Sequence, residues 1–327
     1  MTTGSALVSP LNVVILIPIR DDWVSVVELL RRLGQAGPSN PYVIDVLLVD
    51  DCSVETLHLA EVPSQFAAFR SIRILRLRRN LGHQRAIAIG LVHIETQMAC
   101  DAVLVMDGDG EDTPEGALQL LNAFSGEEAV FAKRSRRTES IVFRVFYQAY
   151  KLLHRVFTGV RVQVGNFSVL PLSHLHTLVV MPELWNHYAA AVIRSGLPLT
   201  MTPIPRGHRI AGRSKMNVVS LTTHGMSAIS VFGDVVGVRL LIASMAGAAM
   251  AFVGIVTVIW IRVFTRLAIP GWATYGAGAL VIILIQFVTI ASSFTFTFLS
   301  NRINLSFVPL RDCGVLVEGF RDVYLNG

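Results

Sequence analysis

The run Val103–Glu115, V-L-V-M-D-G-D-G-E-D-T-P-E, holds the residues of this chain best suited to do chemistry. Four apolar residues read as a buried strand that stops at Asp107, and Asp109, Glu111 and Asp112 follow within five positions. Carboxylates packed this tightly repel one another unless a cation sits between them. At the C-terminal end of a strand in an α/β sheet they would project into the crevice where ligands bind. The arrangement suits a hard divalent ion, Mg2+ or Mn2+, itself shared with a diphosphate.

Two more acidic turns follow apolar runs of the same kind. Asn12–Ile19 reads as a first buried strand and leads from Pro18 into Asp21 and Asp22, and Tyr42–Val49 reads as a second that ends at Asp50 and Asp51. Helical spacing over Val24–Leu33 and Gly82–Thr96 separates the strands, and Ala102–Met106 is the central one. Ile72–Leu77 alternates with arginines as an edge strand would, with the arginines at 70, 73, 76, 78 and 79 read as solvated charge guarding that edge. Further strands are expected at Val130–Lys133, Val169–Leu172 and Leu199–Ile204, and an amphipathic helix at Ser140–Thr158. Strands alternating with helices predict a mainly parallel, Rossmann-like α/β sheet with both faces covered. In such a sheet the three acidic turns lie along one edge and form one polar site.

The chain has 327 residues, 52% of them apolar, with a mean hydropathy of +0.55. The excess is local. Leu240–Ile261 and Ala273–Leu299 carry no charge, and each is long enough to cross about 30 Å of hydrocarbon as a helix. Met1–Pro10 is small and polar, and Asn12–Ile19 is too short and too β-branched for the core of a signal peptide, so the N-terminal domain is expected in the cytoplasm. The loop between the spans carries Arg262 and Arg266. The flanks are richer, with Arg206, Arg209, Arg213, Lys215 and Arg239 before the spans and Arg302, Arg311 and Arg321 after them. The positive-inside rule therefore places both ends on the cytoplasmic side. The expected order is a catalytic domain over 1–215, an amphipathic connector over 216–238, two transmembrane helices within 239–300 and a cytoplasmic tail over 301–327. A net charge of +5 and a pI near 9.4 point to anionic lipid or a phosphorylated ligand. No aromatic-basic platform or recognised motif supports nucleic acid as a partner. Cys52, Cys100 and Cys313 have neither a zinc spacing nor a disulfide pattern. His83 reads as a surface residue at a helix start, and His174 and His176 as loop residues.

In order along the chain, L-V-D-D-C-S-V-E (48–55), N-L-G-H-Q-R-A (80–86), M-D-G-D-G-E-D-T-P-E (106–115), K-R-S-R-R (133–137), G-N-F-S-V-L (165–170) and H-R-I-A-G-R-S-K (208–215) resemble the motifs of one family. The chain resembles the inverting family 2 glycosyltransferases of GT-A fold, and within them the polyprenyl-phosphate sugar transferases related to dolichyl-phosphate mannose synthase. The resemblance runs from about Asn12 to Met216, and the paired membrane spans extend it. It implies that Pro18, Asp22, Asp50, Asp51, Asn80, Gly82, Asp107 and Gly108 line the nucleotide-sugar pocket, with Asp51 accepting from the base. It implies that Asp107 and Asp109 hold the metal, and that Asp109, Arg134, Arg137, Arg209 and Lys215 act on donor or acceptor phosphates. Glu111 is left between a metal contact and a solvated turn. Cys52 stands where the family has glycine, Glu55 where it has aspartate, and Asn166 where relatives carry an aspartate sometimes assigned as the catalytic base. Relatives can self-assemble through membrane helices, which leaves a homo-oligomer open.

The expected reaction is transfer of a sugar from a nucleoside-diphosphate donor to polyprenyl phosphate, with inversion, at the cytoplasmic membrane face. Asparagine cannot take a proton, but a phosphate acceptor is largely dianionic at neutral pH and needs positioning more than deprotonation. A processive polysaccharide synthase of the same fold would need more spans and a Q-x-x-R-W motif, and neither is present. The rival of another class is a membrane-anchored nucleotide-sugar-binding or scaffolding protein with a decayed transferase domain, which Cys52 and Asn166 would permit.

Overall fold

The computed structural model describes residues 10–36, 42–55, 68–134, 148, 154–159, 164–211, 218–265, 271–303 and 307–325. The chain forms two compact units, one of residues 1–148, 162–231 and 307–327 and the other of 149–161 and 232–306.

In the first unit, the strands β1 (Leu11–Ile19), β2 (Tyr42–Asp50), β3 (Phe69–Leu77), β4 (Ala102–Val105), β5 (Ala129–Arg134), β6 (Ser168–Pro171), β7 (Leu199–Ile204) and β8 (Val317–Leu325) form one sheet. Their order is β7-β5-β6-β4-β1-β2-β3-β8. β3, β2, β1 and β4 are mutually parallel, β6 runs antiparallel to β4 and β5, and β7 is parallel to β5. The apolar runs are continuous because both faces are covered. Val14, Leu16, Leu47, Val49, Val103 and Val105 pack on one core with helix α2 (His83–Gln97), while Val13, Ile15, Ile17, Val46, Leu48 and Leu104 pack on the other with α1 (Trp23–Gln35). On the α2 face the backbones come close: a Cβ on Gly90 would press into Leu16 Cδ1 and lie 2.8 Å from Val49 Cγ2.

Parallel register brings three strand ends together. Ile19 lies opposite Asp50, and Leu16 opposite Val105. Beyond them, Asp51 N donates to Ile19 O at 2.9 Å and Met106 N to Leu16 O at 3.1 Å. The acidic turns after β1, β2 and β4 therefore share one edge of the sheet.

One strand was not anticipated. The sequence places 317–325 in a tail and makes β3 an edge, but β8 pairs antiparallel with β3 and takes that edge. The arginines of β3 are accordingly not solvated guards. Arg73 pairs with Asp322 at 3.2 Å and lies over the Phe320 ring, Arg76 pairs with Glu318 at 3.2 Å, and Arg70 is bound to the buried Asp45. Helices α3 (Pro114–Ala123), α4 (Leu172–Leu178) and α5 (Tyr188–Ser195) complete the layers. α4 carries His174 and His176, which are thus helical; His174 is buried and His176 bonds to Glu95. Helix α6 (Val218–Ser230) occupies much of the expected connector. Of the expected helix 140–158, only Gln148 and His154–Thr158 lie within the described residues, and these are helical.

The second unit is dominated by α7 (Gly233–Phe264) and α8 (Trp272–Ile303), which pack against each other. Both are long and apolar enough to cross a membrane, over Gly233–Phe264 and Trp272–Ser300. Glycine on α7 admits bulk from α8, since Phe287 fills the space beside Gly247 and Leu280 the space beside Gly254. Arg239 near the start of α7 donates to Val156 O at 2.7 Å, which anchors segment 154–159.

Gly90→Val is expected to lower the unfolding free energy by about 1–3 kcal/mol, because the added methyls overpack the α2–sheet contact. The measurement is the shift of Tm for the detergent-solubilised chain. An unchanged Tm would show that α2 is not held at this distance.

Candidate active site

The acidic turns divide by what their carboxylates hold. Asp50 is buried, and its Oδ1 accepts from Ser53 N at 2.8 Å. Asp51 is also buried; its two oxygens accept from Leu81 N at 2.6 Å and Gly82 N at 2.9 Å. Asn80 Oδ1 accepts from the same Gly82 N at 3.1 Å. Asp51 therefore fixes the turn that opens α2, whose N-cap Gly82 has a φ of 94°. Burial pushes the Asp51 pKa up, against the pull of those two N–H groups and of Arg20. Asp21 accepts from Val54 N at 2.7 Å and donates its own N–H to Ser53 Oγ at 2.9 Å, so the turns after β1 and β2 are stitched together.

The turn after β4 is locked from below by Asp112. Its Oδ2 accepts from Asp107 N at 2.9 Å, and Thr113 caps α3 through Gly116 N at 3.1 Å. Gly108 sits where a Cβ would lie 3.0 Å from Val26 and 3.1 Å from Ile17, close beside Pro18. Asp107 and Asp109 are left facing the edge. Burial, and then the charge of Asp107, raise the Asp109 pKa; Arg209 and Arg206 oppose the rise.

Both arginines arrive on the loop after β7. Arg209 Nη2 donates to Asp109 Oδ2 at 2.7 Å and its Nη1 lies 4.0 Å from Asp22 Oδ2. Arg206 pairs with Glu111, so Glu111 is not a solvated turn residue. Gly207 N donates to Glu111 O and Ile210 N to Asp109 O, both at 2.9 Å, which holds the loop along the acidic turn. Burial lowers the Arg206 pKa, against the pull of Asp109 and Asp107.

His83 is exposed at the start of α2, as its position suggests, and it also borders this site. Its Nε2 lies 3.2 Å from Asp107 Oδ1 and 2.9 Å from Asn166 Nδ2. Desolvation pulls its pKa down, but Asp107, Asp112 and Asp109 outweigh that and hold it above the usual imidazole value. The signal that could have found it was its place as the first residue of a helix that opens at the acidic edge.

The structure therefore gathers Pro18, Asp22, Asp50, Asp51, Asn80, Gly82, Asp107, Gly108, Asp109 and Arg209 at one edge, and adds Arg206 and His83. Arg134 closes β5, while Arg137 and Lys215 lie outside the described residues. Asp107 and Asp109 offer the carboxylate oxygens that a hard divalent ion takes. Among the described residues no set of three metal-ligating side chains forms around them. Two carboxylates completed by phosphate oxygens and water is the usual pattern for Mg2+ at a diphosphate, so the donor set fits.

Residues 14–175 match the glycosyl transferase family 2. The chain carries a family 2 glycosyltransferase domain. Its architecture is the GT-A fold, and the chain is a transferase. It is 24% identical over 270 residues to the glycosyltransferase YkcC of Bacillus subtilis strain 168, covering 80% of each chain. It is 27% identical over 300 residues to the undecaprenyl-phosphate 4-deoxy-4-formamido-L-arabinose transferase of Edwardsiella ictaluri strain 93-146, covering 84% of this chain and 83% of that one. A crystal structure of a mycobacterial protein superposes with a TM-score of 0.50 at 13% identity, over 69% of this chain and 75% of that one, and shares the fold.

The family's glycine position is informative in this transferase. Cys52 has a φ of 57°, in the left-handed region that glycine adopts without cost. Cys52→Gly is expected to stabilise the domain by up to about 1 kcal/mol, the left-handed penalty less the entropy glycine adds to the unfolded chain. A rise in Tm with unchanged nucleotide affinity is the outcome that checks it; a fall in Tm would mean that the thiol itself is needed there.

Proposed function

We propose that this glycosyltransferase moves a sugar from a nucleoside diphosphate to polyprenyl phosphate, with inversion, at the cytoplasmic face of a membrane that α7 and α8 span. The observation that carries the reading is the pairing of Asp109, beside Asp107, with Arg209 at an edge where three strands end. That edge supplies oxygen ligands and guanidinium forks side by side, which is what a departing diphosphate requires. The two long apolar helices and the undecaprenyl-phosphate transferase named among the relatives support a lipid-borne acceptor.

In the proposed reaction an oxygen of the acceptor phosphate attacks the anomeric carbon from the face opposite the leaving group. The new bond joins that oxygen to the anomeric carbon, and the bond from the anomeric carbon to the diphosphate oxygen breaks. A divalent cation held by Asp107 and Asp109 would stabilise the negative charge left on the nucleoside diphosphate. Asp51 and Asn80 shape the turn beside which the nucleotide lies. Arg209 and Arg206 hold the 205–210 loop over the acidic turn and present guanidinium groups to phosphate oxygens. Arg134, Arg137 and Lys215 are assigned to the remaining phosphate charge. The catalytic domain, its connector and the C-terminal residues are assigned to the cytoplasmic side on the basic flanks of the spans.

The test is transfer from a panel of radiolabelled nucleotide sugars to polyprenyl phosphate in membranes, with and without a chelator. We expect chelator-sensitive transfer from one donor, and a loss of about 100-fold or more in Asp109→Asn, which keeps an acceptor for Glu111 N and so remains folded. Normal turnover by that variant would remove the metal from Asp109. Failure of every nucleotide sugar to label the lipid would remove the acceptor.

A further inference from the structure

Asn166 is buried beside the acidic edge, and its amide is not free to choose its orientation. The backbone N–H of Tyr188 donates to Gln84 Oε1 at 2.7 Å. A backbone N–H can only donate, so the Gln84 atom it meets is the oxygen, and Gln84 Nε2 must point the other way. That nitrogen donates to Asn166 Oδ1 at 3.1 Å. Asn166 Nδ2 is thereby turned toward His83 Nε2, 2.9 Å away, on the side of Asp107. The anchor is rigid. Tyr188 is fully buried as the first residue of α5, and its hydroxyl lies 2.6 Å from Ser168 Oγ, which in turn donates to Asn166 O at 2.9 Å. Its N–H is among those at a helix start that lack a partner within the helix, and Gln84 supplies one.

We infer that Gln84 is a positioning residue for the acceptor: it fixes Asn166 so that an amide N–H edge, not a carboxylate or carbonyl oxygen, faces the acceptor phosphate. The inference rests on the proposed lipid-phosphate acceptor and deepens it. Asn166 Nδ2 lies beside His83 Nε2, and its N–H edge is offered to an oxygen of the incoming phosphate. A neutral hydroxyl would find no proton acceptor at Asn166, whereas an ionised phosphate monoester finds a donor. The site thus selects the charge state of the acceptor through a side chain that does not itself touch it.

Gln84→Glu tests the assignment, because it keeps the shape and reverses the hydrogen-bond sense. It also adds a negative charge, so the same substitution in an Asn166→Ala background, which carries the charge without the relay, is the control. There it is expected to leave the acceptor affinity of that background within about twofold, whereas a loss equal to that in wild type would overturn the inference. Glutamate accepts from Tyr188 N with one oxygen and forces Asn166 to turn its NH2 toward the other, leaving Oδ1 toward the acceptor. In the full-length protein, Gln84→Glu is expected to raise the KM for polyprenyl phosphate about tenfold and more than Gln84→Leu does, with nucleotide-sugar affinity within about twofold of wild type. Equal acceptor KM in wild type and Gln84→Glu, or greater harm from leucine than from glutamate, would overturn the inference in favour of a packing role. Calorimetry with a short-chain prenyl phosphate, with the corresponding prenol as the neutral control, reads the same site without turnover. Weaker binding of the phosphate by Gln84→Glu supports the relay even if the wild type transfers no sugar to polyprenyl phosphate, in which case only the proposed function fails. Equal binding by both, or no binding by wild type, overturns the relay.

Discussion

Mutual repulsion of carboxylates at one sheet edge is the constraint around which this domain is arranged. Parallel register carries the turns after β1, β2 and β4 to the same place, and each turn is acidic. Two unit charges about 4 Å apart near a protein surface repel by about 4 kcal/mol, more than a single hydrogen bond returns. The fold answers by giving most of the acids a backbone partner. Asp50 and Asp112 accept from main-chain N–H groups of their own turns, and Asp51 and Asp21 from those of another segment. Their charge is absorbed into the geometry of the loops, and the loops become rigid because of it. Asp109, which also accepts from Glu111 N, and Asp107, Asp22 and Glu111 face side-chain cations.

The counter-charge comes from far along the chain. β7 lies beyond β5 and β6 from the acidic turns, yet the loop that leaves it returns across the sheet edge and lays Arg206 and Arg209 on Glu111 and Asp109. Two backbone hydrogen bonds and the packing of Ile210 against Gly110 fix that path. A Cβ on Gly207 would lie 2.8 Å from Gly110 O, so the loop can approach this closely only because position 207 is glycine. The arginines cannot be removed without exposing the acids to one another. They also cannot fully satisfy them, since burial and Asp107 still raise the Asp109 pKa. A site left partly uncompensated in this way has room for one more cation.

The strands, the shared edge and the two apolar spans were legible in the sequence because each rests on local pattern: apolar runs, acidic stops and charge-free helical lengths. What was not legible depends on partners far apart in sequence. β8 is charged and separated from β3 by both apolar helices, and nothing in V-E-G-F-R-D-V-Y-L announces which edge it completes. The arginines of β3 were misread for the same reason, since their partners Asp322 and Glu318 lie in that strand. Helices α4 and α5 are too short for periodicity to speak, although the left-handed Gly196 at the end of α5 is a stop signal of the usual kind. Within the site, the acids were found and their duties were not. Asp51 was read as a ligand for a base and is first of all the clamp on the 80–82 turn. His83 is a surface residue as expected, but nothing local announces its contacts with Asp107 and Asn166, which lie 24 and 83 positions away in sequence.

Charge balance also accounts for the asparagine. Four carboxylates, Asp22, Asp107, Asp109 and Glu111, face the two guanidinium groups of Arg206 and Arg209 and the imidazole of His83. An aspartate at 166, next to His83 and Asp107, would add a further negative charge at the point where an anionic acceptor has to come closest. The amide keeps the volume and the hydrogen bond to Gln84 and drops the charge. A base is needed only when the nucleophile arrives protonated. When it arrives as an anion, the same position serves better as a donor, because the barrier then lies in bringing two negative groups together and not in removing a proton. Under the proposed phosphate acceptor, Asn166 therefore fits the electrostatics of its surroundings.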